Sequence, residues 1–209
     1  MGLCVLIFLW QAFGAAQPNR FVLDFGVMPA GLFGNLYGGP VSLADPWMTL
    51  FTSQFLHGSW MHLIGNMLFL YIFGDNVEEA FGPVGFFVFY LACGCVAALA
   101  QAAANTQSIV PIIGASGAIS GVLGAYLVLH PKARVLTLFF VGIITVYRVP
   151  AAWFLLGWLG FQAVSAVTSF STVGEGGGVA FLAHVGGFVM GAAVAFFVKP
   201  HLRKAGPWG

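Results

Sequence analysis

Residues 56–74, 84–104, 112–130 and 179–198 are apolar runs that contain no Asp, Glu, Lys or Arg. A helical crossing of a bilayer needs roughly 20 such residues, and in lipid the backbone polar groups must be satisfied within helices or a closed barrel. Runs of this length point to helices. The rest of the chain agrees: 6% of its residues are charged and 60% are hydrophobic, where soluble domains run near ~25% charged. An integral membrane protein is therefore expected. A net charge of +1 offers no basic surface for nucleic acid. Cys4, Cys93 and Cys95 lie in apolar runs and are odd in number, so neither a disulfide framework nor a cysteine metal site is expected.

Residues 151–168 make a slightly shorter, uncharged fifth span. Leu3–Ala16 is shorter still. Its "FGAAQ" resembles a signal cleavage site, but no basic residue precedes the apolar stretch, and a first span whose start is cut short is the preferred reading. Val135–Tyr147 is too short to cross; bracketed by Arg134 and Arg148, with Pro131 and Pro150 outside, it reads as an interfacial or re-entrant connector. The count is six spans. Lys132, Arg134, Arg148, Lys199, Arg203 and Lys204 then fall on one side and Arg20 on the other, which places both termini in the cytoplasm. Two of the external loops stand out, a long one over 17–55 and a glycine-rich one over 169–179. No repeat or second domain breaks the chain, so 1–209 reads as a single polytopic domain.

Polar groups inside lipid are costly and mark function. His62 and Asn66 are four apart on the second span and share a face. Ser116 on the fourth span and His184 on the sixth lie, with His62, near the outer ends of three parallel helices. A seven-span count would put Ser116 and His184 near opposite membrane faces. Glycines connect these positions. Gly114, Gly117, Gly121 and Gly124 line one face of the fourth span; Gly187, Gly191 and Ala195 follow His184 on the sixth. Such faces let helix backbones approach closely, and closeness is what two short side chains need to meet. A serine hydroxyl becomes a nucleophile when a base within hydrogen-bond reach takes its proton, and a neutral imidazole is such a base. No span contains a carboxylate to orient His184; Glu175, in the loop before it, is the nearest acid in sequence. The expectation is a Ser116–His184 dyad, with His62, Asn66 and the Ser116 backbone N–H donating to a developing oxyanion. "GASGA" is not a nucleophile elbow, since residue 118 is alanine and no strand precedes it. His57 reads as structural, His130 and His201 as interfacial, and no histidine spacing suggests a metal.

The stretches "HGSWMHLIGNMLFLYIFGDNVE" (57–78), "GASGAISGVLGAY" (114–126) and "AHVGGFVMG" (183–191), in that order and spacing, resemble the rhomboid family of intramembrane serine proteases. The resemblance covers about 43–199. It implies an all-α membrane fold, a six-helix bundle with a long first external loop lying partly in the outer leaflet and the 169–179 loop capping the site. It also implies Ser116 as nucleophile and His184 as base, with an oxyanion site lined by His62, Asn66 and the backbone around Gly114 and Ala115. Gly117, Gly121, Gly187 and Gly191 serve the packing. The implied partners are the bilayer and single-pass transmembrane protein substrates, cut near the outer end at small residues after lateral entry, in a bacterial-type plasma (inner) membrane and without a cofactor. Oligomeric state is not indicated.

Two positions depart from the family pattern. Met48 follows Trp47 where some relatives carry arginine, and Ser120 stands where some place an aromatic ring against the histidine. A catalytically silent relative that binds membrane proteins for quality control is the alternative; the intact Ser116 and His184 argue against it. A transporter would call for carboxylates near the membrane midplane, which the spans lack.

Overall fold

The structure, a computed structural model, describes residues 1–34, 44–141, 143–171 and 180–201. The junction of its two longest helices shows how local sequence sets the frame. Helix α5 (Trp60–Phe81) starts where the Ser59 hydroxyl accepts from the His62 amide at 3.1 Å, a side-chain cap for an otherwise unpaired donor. It stops at Gly82, whose φ of 73° favours glycine. Pro83 then opens α6 (Pro83–Ala104), where its fixed φ and missing N–H suit the first helical position. Each helix has 22 residues, about 33 Å at ~1.5 Å per residue, enough to cross the hydrocarbon core.

Before α5 the chain forms α1 (Gly2–Leu9), extended to Gly14 by a π-helical turn, and the short helices α2 (Pro18–Phe25), α3 (Pro29–Leu32) and α4 (Thr49–Thr52). The 17–55 loop thus carries local helical structure, although 35–43 lie outside the described residues. After α6 come α7 (Ser116–Leu129), α8 (Ala151–Ser171) and α9 (Phe181–Val198). Among the described residues, three helices are long and apolar enough to cross a membrane: α6, residues 151–168 of α8, and α9. Helix α5 has the length, but it holds His62 and Asn66 and ends in a segment with Asp75, Glu78 and Glu79.

The all-α expectation needs one correction. Arg134–Val141 (β1) and Ile143–Pro150 (β2) pair as an antiparallel hairpin, with Arg134 opposite Pro150 and Thr137 opposite Tyr147. The fold is therefore mostly helical rather than all helical. The physical reason is in the composition, since "VLTLFF" and "IITVY" are rich in β-branched and aromatic residues, which suit a pleated ribbon. The segment is a connector and not a crossing helix, as its length suggested.

Helix α7 is the centre of the bundle. Every residue from Gly117 to Tyr126 is buried, and α5, α6, α8 and α9 all pack against it. Its upper core neighbours are small; lower down, Phe73 of α5 sits 5.0 Å from the Tyr126 ring and 6.2 Å from Phe154 of α8. Outward faces carry Tyr71, Phe87, Trp153, Phe161, Phe196 and Phe197, all exposed. A water-soluble protein would bury such side chains; here they form a lipid-facing surface. The protein is an integral membrane protein.

With 14 residues, α7 is only about 21 Å long. The chain reaches its start through irregular backbone, which lipid tolerates only where protein surrounds it. Two anchors supply that surrounding. Val27 and Ile112 form an antiparallel bridge, N–H to carbonyl in both directions at 3.0 and 2.8 Å, and the Gly114 amide donates to the Ser53 carbonyl at 2.9 Å. The 112–130 run is therefore helical only from Ser116 onward.

Candidate active site

Ser116 is the first residue of α7, with Ala115 as its N-cap. It was expected a few residues inside a helix beginning at 112; the extended anchor at Ile112 and the turn at Gly114 delay the helix start. At a first helical position the amides of Ser116 and its neighbours have no acceptor within the helix. Gly114 has φ 123°, and a Cβ there would stand 2.7 Å from the His62 ring and 3.7 Å from the Ser116 hydroxyl oxygen. Glycine is thus required twice, for the backbone angle and for the approach of His62.

The backbones of α7 and α9 meet directly. A Cβ on Gly187 would collide with the Gly117 carbonyl, one on Gly191 with the Gly121 carbonyl, and one on Gly124 with the Phe188 carbonyl. Gly117 and Gly121 also face Ala97 and Cys93 of α6, whose Cβ atoms would lie 2.6 and 2.5 Å from any added methyl. At the top of this seam His184 is buried, and its Nε2 lies 2.8 Å from the Ser116 Oγ.

The sequence reading had not singled out two glutamines that act here. Gln162 of α8 is buried and places its Oε1 2.8 Å from the other ring nitrogen of His184, Nδ1. Gln101 of α6 accepts from the backbone amides of Leu182 and Ala183 at 3.0 and 3.3 Å, which caps the first turn of α9 just before the histidine. Both residues lie in otherwise apolar spans. The available signal was a lone amide within an apolar span, the same kind of signal that Asn66 gives on α5.

Asn66 lies one turn below His62 on α5, and its side-chain Nδ2 is buried without a hydrogen-bond partner among the described residues. A small cleft beside Ser116 is lined by Ser53, Gly94, Ala97, Ile113, Gly114 and Ala183. His57 is fully buried and meets the His62 ring edge-on, centroids 5.2 Å apart. His130 ends α7 and is buried. No three His, Cys, Asp or Glu side chains converge as a metal site among the described residues. Trp47 and Met48 are exposed, with their amides held by the Asp45 carboxylate. Ser120 turns its hydroxyl back to the Ser116 carbonyl at 2.7 Å. Glu175 and the 172–179 part of the loop expected to cap the site lie outside the described residues, as do Arg203 and Lys204.

Comparisons with known proteins now bear on this geometry. Rhomboid protein 1, mitochondrial, of Saccharomyces cerevisiae is 29% identical over 161 residues, covering 75% of this chain and 43% of the yeast protein. Rhomboid protease GluP of Bacillus subtilis is 30% identical over 207 residues, covering 98% of this chain and 34% of that protein. Rhomboid-like protein 11, chloroplastic, of Arabidopsis thaliana is 41% identical over 75 residues, 36% of this chain and 26% of the plant protein. The chain spans less than half the length of each of these relatives. The Rhomboid domain profile matches residues 44–201, which contain Ser116, His184, His62 and Asn66, and on that match the chain belongs to the rhomboid family.

Proposed function

We propose that the protein is an intramembrane serine endopeptidase. The observation that carries this reading is the 2.8 Å approach of Ser116 Oγ to His184 Nε2 in a chain of a family whose Bacillus subtilis member is named a protease. In the proposed mechanism His184 Nε2 takes the hydroxyl proton as Ser116 attacks the scissile carbonyl. The oxyanion that develops accepts from the Asn66 amide, the His62 ring and the free backbone N–H groups at the start of α7. The proton passes from His184 to the leaving amine. Water, deprotonated by the same nitrogen, then releases the acyl group from Ser116.

Where these groups sit supports a substrate class. Ser116 heads a short helix inside a lipid-facing bundle, so the scissile bond belongs to a transmembrane protein that enters from the bilayer. The cleft beside Ser116 is small, and Gly94, Ala97, Gly114 and Ala183 in its lining favour a small side chain next to that bond. Counting α1 with its π-helical extension, α5, α6, α7, α8 and α9 as crossings gives six spans. With that count, the basic residues after α7 favour cytoplasmic termini and a site near the outer face.

The test is labelling by a fluorophosphonate serine probe, together with cleavage of a transmembrane reporter substrate, for wild type, Ser116→Ala and His184→Ala. Wild type should label and cleave, and both variants should lose turnover by at least roughly 10³-fold while remaining folded. Folded wild-type protein that neither labels at Ser116 nor cleaves would sink the protease reading and leave the binding-protein alternative.

A further inference from the structure

His184 is gripped from α8, a helix that contributes neither member of the reacting pair. Trp158 and Gln162 are four apart and so share a face of α8. The Trp158 ring stands 5.8 Å from the His184 ring and 6.3 Å from Phe188, tilted by 37° and 31°. One turn on, the Gln162 Oε1 meets His184 Nδ1. Ser120 of α7, from which an aromatic support would be expected, is fully buried with its hydroxyl turned to its own helix. The aromatic neighbour and the hydrogen bond on the far side of the ring both come from α8.

We propose that Gln162, backed by Trp158, is the positioning residue of the base: its amide oxygen holds His184 in the Nδ1–H tautomer that leaves Nε2 open to the Ser116 proton. The inference deepens the protease reading and rests on it. An amide oxygen only accepts, so the ring nitrogen facing it must carry the hydrogen. A neutral imidazole has one N–H, and Nε2 is then the lone-pair nitrogen. In water-rich active sites a buried carboxylate does this work. Inside a membrane span a carboxylate is costly, and a neutral amide supplies the same directional acceptor without a charge. His62 on α5 flanks Ser116 across Gly114, whereas the hydrogen bond at His184 Nδ1 comes from Gln162.

The test compares Gln162→Met, close in length but without a strong acceptor, with Gln162→Glu, which keeps one. Purified full-length protein would be assayed for kcat and KM on the transmembrane reporter. The ¹⁵N spectrum of histidine-labelled protein, with His184 assigned by the His184→Ala difference, reads the tautomer directly. Gln162→Met should lower kcat roughly tenfold with KM unchanged and should populate the Nε2–H form. Gln162→Glu should recover both the rate and the Nδ1–H signature. Wild-type kcat and an unchanged His184 spectrum in Gln162→Met would overturn the proposal. So would equal losses in both variants with a parallel fall in Tm, which would mark a packing role. Should wild type lack Ser116-dependent labelling, the protease reading falls, and the spectrum alone still decides whether Gln162 sets the tautomer.

Discussion

Helix α9 is held in opposite ways on its two flanks. Toward α7 it presents Gly187 and Gly191 to the carbonyls of Gly117 and Gly121, backbone against backbone with no side chain between. Toward α8 it is met by the side chains of Trp158 and Gln162, while a Cβ on Gly157 or Gly160 of α8 would meet nothing within 4 Å among the described residues. The difference separates two tasks. Lipid supplies no hydrophobic force between helices, so close packing of small residues is what draws two backbones together, and that sets where Ser116 and His184 can be. Which way the imidazole points needs directional contacts, and those come from the other flank.

The severest way to break this contrast is to put one methyl into the seam. Gly191→Ala would drive a Cβ into the Gly121 backbone, which cannot give as a side chain could. We expect a loss of about 3 kcal/mol, read as a lowered Tm in detergent, together with loss of serine-probe labelling as the pair separates. A variant of wild-type stability would show that the seam is not the constraint. A smaller effect should follow from Gln101→Leu, which strips the acceptor from the Leu182 and Ala183 amides. The expected cost is about 1–2 kcal/mol, with hydrogen exchange at the α9 start rising before global unfolding. Unaltered exchange there would remove Gln101 from the account. The smallest change sharpens the comparison from α8. A Cβ on Gly160 meets nothing within 4 Å, so Gly160→Ala should leave activity intact and stabilise by up to about 1 kcal/mol. A destabilised Gly160→Ala would mean that α8 also depends on close backbone contact.

How far the site could be read in the sequence depended on the kind of contact. The Ser116–His184 approach was legible because the helical spacing of Gly117 and Gly121 on one run, and of Gly187 and Gly191 on the other, already states which faces can close. His62 and Asn66 were legible by their four-residue spacing on α5. Gln162 and Gln101 were not, because a glutamine among apolar residues carries no period and no charge; its meaning comes from the neighbour its amide reaches. The late start of α7 was hidden for a related reason. Nothing in "PIIGASG" says that Ile112 will bond Val27 and Gly114 will bond Ser53. The hairpin at 134–150 was recognisable as too short to cross, whereas its pairing was not.

By itself the sequence determined that this chain lives in a membrane, that small-residue faces join two of its helices, and that a serine and a histidine sit at the same end of them. Those conclusions rest on length, charge and period, which are properties of the chain taken locally. Only the tertiary structure decided the 2.8 Å distance between Ser116 and His184, the burial of the Asn66 amide without a partner among the described residues, and the supply of the histidine's second hydrogen bond from α8. Hydrogen bonds between helices depend on rotation and depth to within about an ångström, and no local pattern encodes those until the helices have packed.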